Sequence, residues 1–283
     1  MNGIGNDFVV IDTINQHINI TKNMVKRIAD RHRGVGCDQL LIIEPPKESH
    51  VDFNYRIFNR DGLEASQCGN GARCIAKFIY DQGLSGKRRF LVSSIGGMLH
   101  IELVGKNMVA VEIQPPSFDP KKVPFKTEKQ EKSYKLEIMS RMIEFIPVTV
   151  GNPHAIIFER DIRKVNIRQI GRNFQKHQSF PNQVNVNFAQ IINKDLIKLR
   201  VFERGSGETE SCGSGACATA AVAIRDGLVN SSVTVQQKGG HLKIVWPNES
   251  DRIKMIGEAK TVFQGIMNIC CLLYTSDAAD DIP

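Results

Sequence analysis

Cys68 and Cys212 are the residues best suited to chemistry, because each opens a glycine-rich motif that occurs twice in the chain. Residues 68–72 read Cys-Gly-Asn-Gly-Ala, residues 212–216 read Cys-Gly-Ser-Gly-Ala, and each motif leads into a helix-like segment. Glycines at a helix start let the backbone approach a ligand, and the unpaired N–H groups there bind anions such as a carboxylate. The positive electrostatic field of these N–H groups also lowers the pKa of a cysteine thiol at the helix start. The sequence therefore predicts two reactive sulfurs, each beside an anion site.

Two thiols on opposite sides of a substrate could invert a stereocentre. One sulfur, as thiolate, would take the α-proton of an amino acid, and the other, as thiol, would return a proton from the opposite face. The N–H groups at both helix starts would stabilise the negative charge that develops next to the carboxylate. Two interpretations from other classes stay open: a redox pair formed by Cys68 and Cys212, and a non-enzymatic binder of small zwitterions.

The elements that must position these cysteines are themselves repeated. Residues 56–84 and 200–228 are identical at eleven of twenty-nine positions without a gap, which indicates a duplicated unit and therefore two similar domains. In each copy a strand feeds the cysteine motif. The helices that follow, at about 69–82 and 213–226, are each closed by a glycine. Each half is thus expected to be mostly strands around one central helix.

Composition shifts suggest where the two halves divide. Proline, lysine and serine collect near 115–124, as is typical of a linker. We therefore expect a first half at 1–114 and a second half at 115–258. The chain begins almost directly on a turn at 3–6, which leaves no room for a strand before it. Residues 271–283 resemble a translated sequencing adapter and are expected to be a non-native tail.

Length and charge narrow the class of protein. The 283 residues suit about two domains, and no apolar run is long enough to cross a bilayer. No signal peptide opens the chain and the seven cysteines are odd in number, so a cytoplasmic location without a membrane partner is expected. The net charge of +7 is spread out, and the lysines at 121–135 are interrupted by Glu128 and Glu131, which argues against a nucleic-acid partner. The cysteine spacings fit no usual zinc site and no nucleotide-binding glycine motif follows a strand, so neither a metal nor a cofactor is expected.

Seven short motifs, taken in order along the chain, resemble the diaminopimelate epimerase family. They are Gly5-Asn6-Asp7-Phe8, Asp38-Gln39, Phe58-Asn59, Cys68-Gly69-Asn70-Gly71, Gly151-Asn152-Pro153-His154, Glu203-Arg204-Gly205-Ser206-Gly207-Glu208-Thr209 and Cys212-Gly213-Ser214-Gly215. The resemblance runs from Gly3 to about Gly265, with Asn2-Gly3 standing where the family usually has His-Gly. It implies a pyridoxal-independent isomerase that interconverts LL- and meso-2,6-diaminopimelate in lysine biosynthesis.

The resemblance also implies a fold. Its class is α/β, of the α+β type, with two pseudo-symmetric domains and the site in the cleft between them. Each domain would be a mostly antiparallel or mixed strand barrel around a central helix. A final strand at 259–268 would return to the first domain. The nearest alternative is a proline or hydroxyproline racemase of the same fold.

Site residues follow from the same resemblance. Cys68 and Cys212 would be the catalytic acid and base, with Glu203 and His154 tuning their pKa values. The residues implied to bind substrate are Asn6, Gln39, Asn59, Gly69, Asn70, Asn152, Asn185, Glu203, Arg204, Gly213 and Ser214. The expected partner is a small molecule, and a homodimer is compatible with this scheme. Cys74 and Cys217 lie inside the helices and are expected to be core residues.

Overall fold

The computed structural model describes residues 1–66 and 68–268. The first half contains β1 (Asn2–Gly3), β2 (Asn6–Asp12), α1 (Lys22–Ala29), β3 (Gln39–Glu44), β4 (Phe53–Asn59), β5 (Glu64–Ala65), α2 (Gly69–Asp81), β6 (Arg89–Ser94), β7 (Gly97–Leu103) and β8 (Met108–Ile113). The second half contains β9 (Tyr134–Ile138), β10 (Arg141–Thr149), β11 (Pro153–Phe158), α3 (Ile167–Lys176), β12 (Asn185–Asn193), β13 (Leu196–Glu203), β14 (Gly207–Glu208), α4 (Gly213–Arg225), β15 (Ser232–Gln237), β16 (Gly240–Val245) and β17 (Ile253–Glu258). Short 3₁₀ turns lie at Pro120–Lys122 and Ile162–Lys164.

The strand pairings of the first half are repeated in the second. β2 and β3 are parallel, β3 and β4 antiparallel, β4 and β6 parallel, and β6, β7 and β8 form an antiparallel run. β11, β12, β13, β15, β16 and β17 pair in the same sequence of orientations. The predicted α/β fold of two pseudo-symmetric, mostly antiparallel or mixed strand layers around a helix is therefore confirmed. The domain boundaries themselves stay a prediction.

The two halves are joined through their last strands. β8 pairs antiparallel with β17, with Val111 opposite Met255. Two isolated bridges cross over in the same manner, since Ser117 pairs with Thr149 and Lys260 pairs with Asn2. The first bridge links the segment after β8 to the end of β10, and the second links the segment after β17 to β1. This exchange holds the two halves in one continuous hydrogen-bonded sheet.

The central helices α2 and α4 begin and end for the reasons that the sequence suggests. Each begins directly after a cysteine whose sulfur accepts a backbone N–H of the first turn. Each is followed by a glycine with a left-handed backbone, Gly83 at φ +65° and Gly227 at φ +67°, a conformation that costs glycine least. Ala72 and Ile75 of α2 share one hydrophobic core with Ala216 of α4. The helices are thus fixed against each other by the common core.

The chain beyond β17 differs from the prediction. It does return to the first half, where Lys260 bridges to Asn2 and the Thr261 hydroxyl donates to Asp81 at 2.9 Å. The strand predicted at 259–268 is wrong, because apart from that one bridge this segment has no ladder partner. The regular strand that joins the halves lies earlier, at Ile253–Glu258. The predicted non-native tail at 271–283 lies outside the described residues.

Within residues 1–66 and 68–268, no helix combines the length and the apolar character that a membrane crossing requires.

Candidate active site

Each candidate cysteine is the N-cap residue of a central helix. Cys68 has an extended backbone and its Sγ accepts the N–H of Gly71 at 3.3 Å, while Cys212 Sγ accepts the N–H of Gly215 at 3.4 Å. A short hairpin precedes each cysteine, formed by β4 with β5 and by β13 with β14. The duplicated motifs therefore place each sulfur at the positive end of a helix, as predicted.

The two helix starts, residues 68–71 and 212–215, adjoin each other. The Asn70 side chain donates from Nδ2 to Ser211 Oγ at 3.1 Å, which joins the first turn of α2 to the residue before Cys212. Met255 of β17 packs under both starts: a Cβ at Gly69 would lie 2.6 Å from Met255 Cε, and one at Gly213 would lie 3.1 Å from Met255 Sδ. A Cβ at either glycine would therefore displace the end of the Met255 side chain. The fold brings the predicted cysteines from the two halves to one place.

Cys212 lies against the carboxylate of the half-buried Glu203. Its Sγ donates to Glu203 Oε2 at 3.1 Å, and Thr209 donates its hydroxyl to the other oxygen of Glu203. Burial raises the pKa of Glu203. Burial and then the Glu203 charge raise the pKa of Cys212 well above the usual thiol range. This environment keeps the proton on Cys212, because the thiol and not the thiolate can donate to the carboxylate.

Cys68 has a different environment. Its Sγ approaches Asn6 Oδ1 at 3.9 Å and has no contact with a carboxylate among the described residues. Burial raises the pKa of Cys68, whereas the Gly71 N–H and the charge of Arg73 lower it. The sequence predicted that the helix start lowers the pKa of both thiols. That prediction is wrong, because the net shift of both pKa values is upward. Desolvation of the sulfur outweighs the N–H groups that face it.

His154 is fully buried behind Ser214. Its Nδ1 lies 3.0 Å from Asn187 Oδ1, and its Nε2 lies 3.1 Å from Asn152 Oδ1 and 3.2 Å from Ser214 Oγ. Burial lowers the pKa of His154 to about 4, so the ring is neutral at pH 7. The ring touches neither sulfur and reaches Cys212 only through Ser214, whose Oγ lies 3.6 Å from that sulfur.

Apart from Asn70, which donates to Ser211 of the second half, the amides predicted to bind substrate are held by neighbours of the same half. In the first half, Gln39 donates to Asn59 Oδ1 at 2.9 Å and Asn6 donates to Asp38 at 3.1 Å. Gln39 Oε1 is buried without a hydrogen-bond partner among the described residues. A buried acceptor of this kind is a place where a substrate donor could bind.

In the second half, Asn185 organises the segment around Arg204. Its Oδ1 accepts the Arg204 backbone N–H at 2.8 Å and its Nδ2 donates to the Pro153 carbonyl at 3.0 Å. The Arg204 side chain is exposed and donates to the Asn182 carbonyl at 3.2 Å. No carboxylate among the described residues pairs with it. A guanidinium placed in this way can take a carboxylate from solution.

Sequence reasoning missed several polar residues that support the site. Asn187 donates to the Gly215 carbonyl and to Thr219 Oγ1, each at 2.9 Å, while it contacts His154. Gln237 accepts the Cys212 backbone N–H at 2.7 Å. The missed residues are Arg73, Asn187, Thr209, Ser211 and Gln237. For Arg73 in α2 and Asn187 in β12, a polar residue between apolar neighbours was the available signal, since buried polar groups need partners.

A pair of thiols at adjoining helix starts, in a duplicated fold of strands around central helices, defines the two-thiol class of racemases and epimerases. A family model described as "Diaminopimelate epimerase" matches residues 1–118 and 146–262. A protein described as diaminopimelate epimerase from Stutzerimonas stutzeri (strain A1501) is 43% identical over 265 residues, which is 94% of this chain and 96% of that protein. The chain belongs to the diaminopimelate epimerase family and is an isomerase.

Solved structures with much lower identity share the fold. A hydroxyproline epimerase from Agrobacterium vitis, with bound trans-4-OH-L-proline, aligns with a TM-score of 0.66 at 14% identity, over 91% of this chain and 87% of that one. A probable proline racemase from Agrobacterium radiobacter K84, with bound carbonate, aligns with a TM-score of 0.68 at 13% identity, over 95% and 92%. These two structures support the fold alone.

Proposed function

We propose that this chain interconverts LL- and meso-2,6-diaminopimelate by moving a proton between Cys68, the α-carbon and Cys212. The observation that carries the proposal is that two cysteines, one from each half, cap adjoining helix starts. Cys212 donates to Glu203 and therefore holds a proton that it can give. Cys68 contacts no carboxylate, so it is the sulfur better placed to act as the base when Cys212 gives its proton. The roles exchange when the substrate stereochemistry is reversed.

Substrate charges match the groups around the thiols. The N–H groups at 69–70 and 213–214 would receive the carboxylate beside the reacting carbon, where negative charge develops. Arg204, exposed and without a carboxylate partner in the described part of the chain, would bind the distal carboxylate. The unpartnered Gln39 Oε1 would accept from a substrate ammonium. The remaining predicted amides, Asn6, Asn59, Asn70, Asn152 and Asn185, together with Glu203 and Ser214, would complete the polar lining.

Deuterium incorporation from heavy water tests the proposal. The reduced protein should place solvent deuterium at the α-carbon of LL-diaminopimelate and yield the meso form. Cys68→Ser and Cys212→Ser should each lower epimerisation by about 10²–10⁴-fold, the usual contribution of one general acid or base. Cys74→Ser is the matched control, because Cys74 is a core cysteine of the same helix.

Other outcomes identify the alternatives. Exchange with proline or hydroxyproline but not with diaminopimelate would favour the racemase, although the relatives that point that way share only 13–14% identity. No exchange with either substrate in reduced protein would favour a redox or binding role and would refute the proposal.

Three finer expectations belong with this proposal. They are a cytoplasmic location, domains that divide at 114/115 and 258, and a homodimer. Light scattering after size-exclusion chromatography measures the mass in solution, and a monomeric mass with full activity would contradict the homodimer.

A further inference from the structure

Arg73 is a fully buried arginine where α2 meets β17. Its Nη2 donates to Asn70 Oδ1 at 2.9 Å, and its Nη1 donates to the Gly69 carbonyl at 3.4 Å and faces Met255 Sδ at 3.7 Å. Its Nε donates to the Glu258 carbonyl at 3.4 Å. All of these acceptors are neutral, and no carboxylate among the described residues forms an ion pair with it. A buried charge of this kind is costly unless another charge compensates it.

The fold leaves space for this guanidinium. A Cβ at Gly257 of β17 would lie 3.2 Å from Arg73 Nε and 3.3 Å from its Cζ, so the guanidinium lies over a glycine. Burial lowers the pKa of Arg73, yet a guanidinium keeps its proton in proteins. The structure therefore holds a positive charge beside the helix start that carries Cys68.

Arg73 also fixes the contact between the halves. Because a guanidinium can only donate, it must face the Asn70 oxygen, which turns Asn70 Nδ2 toward Ser211. Asn70 Nδ2 then donates to Ser211 Oγ at 3.1 Å, and Ser211 immediately precedes Cys212. Asn70 and Ser211 are both buried, so this path is shielded from water. One side chain thus bears on the positions of both thiols.

We infer that Arg73 is a positioning residue of the thiol pair: it holds the Asn70–Ser211 contact between the helix starts and favours negative charge at Cys68 and beside it. This inference deepens the proposed function and rests on it. The positive charge of Arg73 is compensated during the reaction, when Cys68 becomes a thiolate or a substrate carboxylate binds at the helix start. At the matched position the second half has Cys217, which is neutral and buried.

Other groups also bear on the titration of Cys68. The charge of Glu203 on β13 raises the pKa of Cys68, opposing Arg73. The remaining titratable groups that interact with Cys68 or with Arg73 are Tyr55 on β4, Cys74 on α2 and Cys217 on α4. The pKa values of these three are raised by burial, so they are uncharged at neutral pH. A titration of Cys68 therefore responds to the charges of Arg73 and Glu203.

Three variants separate charge from position. Arg73→Met removes the charge, Arg73→Lys keeps a charge but loses the planar fork, and Ser211→Ala cuts the contact while leaving Arg73 in place. The readout is the pH dependence of iodoacetamide alkylation at Cys68, followed by peptide mass spectrometry, together with kcat and KM. We expect Arg73→Met to raise the alkylation midpoint by about one pH unit, a tenfold loss of thiolate at fixed pH. Arg73→Lys should keep the midpoint, and both Arg73→Lys and Ser211→Ala should lower kcat/KM by about tenfold.

The inference is wrong if folded Arg73→Met alkylates Cys68 with the wild-type profile, or if Ser211→Ala and Arg73→Lys leave kcat/KM unchanged. Should Arg73→Met fail to fold, the other two variants still decide the positioning role. Alkylation does not depend on the substrate. Suppose that Arg73→Met shifts the alkylation profile of Cys68 but the wild-type protein does not exchange diaminopimelate. The proposed function would then be refuted, while the effect of Arg73 on Cys68 would stand.

Discussion

At three matched positions in the core behind the cysteine, the first half has apolar side chains and the second half has polar ones. β2 pairs with β3 as β11 pairs with β12, with Phe8 opposite Gln39 and His154 opposite Asn185, so positions can be matched one to one. The matched pairs are Phe8 with His154, Leu41 with Asn187, and Ile75 with Thr219. All six side chains are buried. The duplicated backbone has thus kept the position of each sulfur while the side chains behind it have diverged.

Charge differs between the halves as well. Glu203 contacts Cys212, whereas the matched residue in the first half is the neutral Asn59. Arg73 lies near Cys68, whereas its matched residue is Cys217. A negative charge beside one sulfur and a positive charge near the other make opposite protonation states favourable in the two halves. Two thiols of one origin can therefore begin the reaction as an acid and a base.

The largest effect is expected when the charge beside Cys212 is removed. Glu203→Gln should lower the pKa of Cys212, because the Glu203 charge raises it, and epimerisation should fall by about 10²-fold. Alkylation of Cys212 as a function of pH measures the first effect and a coupled assay of product chirality the second. Glu249→Gln, which removes the charge of an exposed carboxylate outside the site, is the control. An unchanged Cys212 profile would show that the carboxylate does not separate the two thiols.

A second effect concerns stability in acid. His154 has a pKa of about 4 in the fold, below its ordinary value of 6.5, so between these values the unfolded chain binds more protons. The contribution of His154 to the free energy of unfolding is therefore complete above pH 6.5. It falls by about 3 kcal/mol as the pH falls toward 4.

His154→Phe, which copies Phe8, should remove that loss. At pH 7 it should cost about 1–3 kcal/mol, because Asn187 Oδ1 loses its partner. Urea unfolding at several pH values measures both effects, with exposed His241→Gln as the control. Equal acid sensitivity in wild type and His154→Phe would contradict the neutral buried ring.

The smallest effect is expected at the far end of the polar cluster. Thr219→Val keeps the side-chain shape and removes one of the two acceptors of Asn187 Nδ2, so stability should fall by about 1 kcal/mol. Thr234→Val on β15 is the control, and urea midpoints give the difference. If both variants match wild type, the Thr219 hydroxyl adds nothing to the second half.

Local signals in the sequence were enough for the elements nearest the cysteines. α2 and α4 begin at Gly69 and Gly213, as the motifs predicted, because a capping residue and a closing glycine act within one turn. The return of the chain after β17 was predicted as a strand and is irregular, since a strand requires a partner that the sequence does not reveal. Asn187 and Arg73 were missed for a related reason. Each has a partner on another element, His154 for Asn187 and the Glu258 carbonyl for Arg73, and one sequence does not show which residues meet.

By itself, the sequence determined the duplication, the two cysteines and the helices that they cap, because identity between copies and capping chemistry are local and can be read directly. Only the tertiary structure decided how the two sulfurs differ. Their pKa values depend on burial and on charges brought from distant elements, such as Glu203 beside Cys212 and Arg73 near Cys68. Desolvation and Coulomb interaction depend on distances in space and on the surrounding medium, and both exist only once the chain has folded.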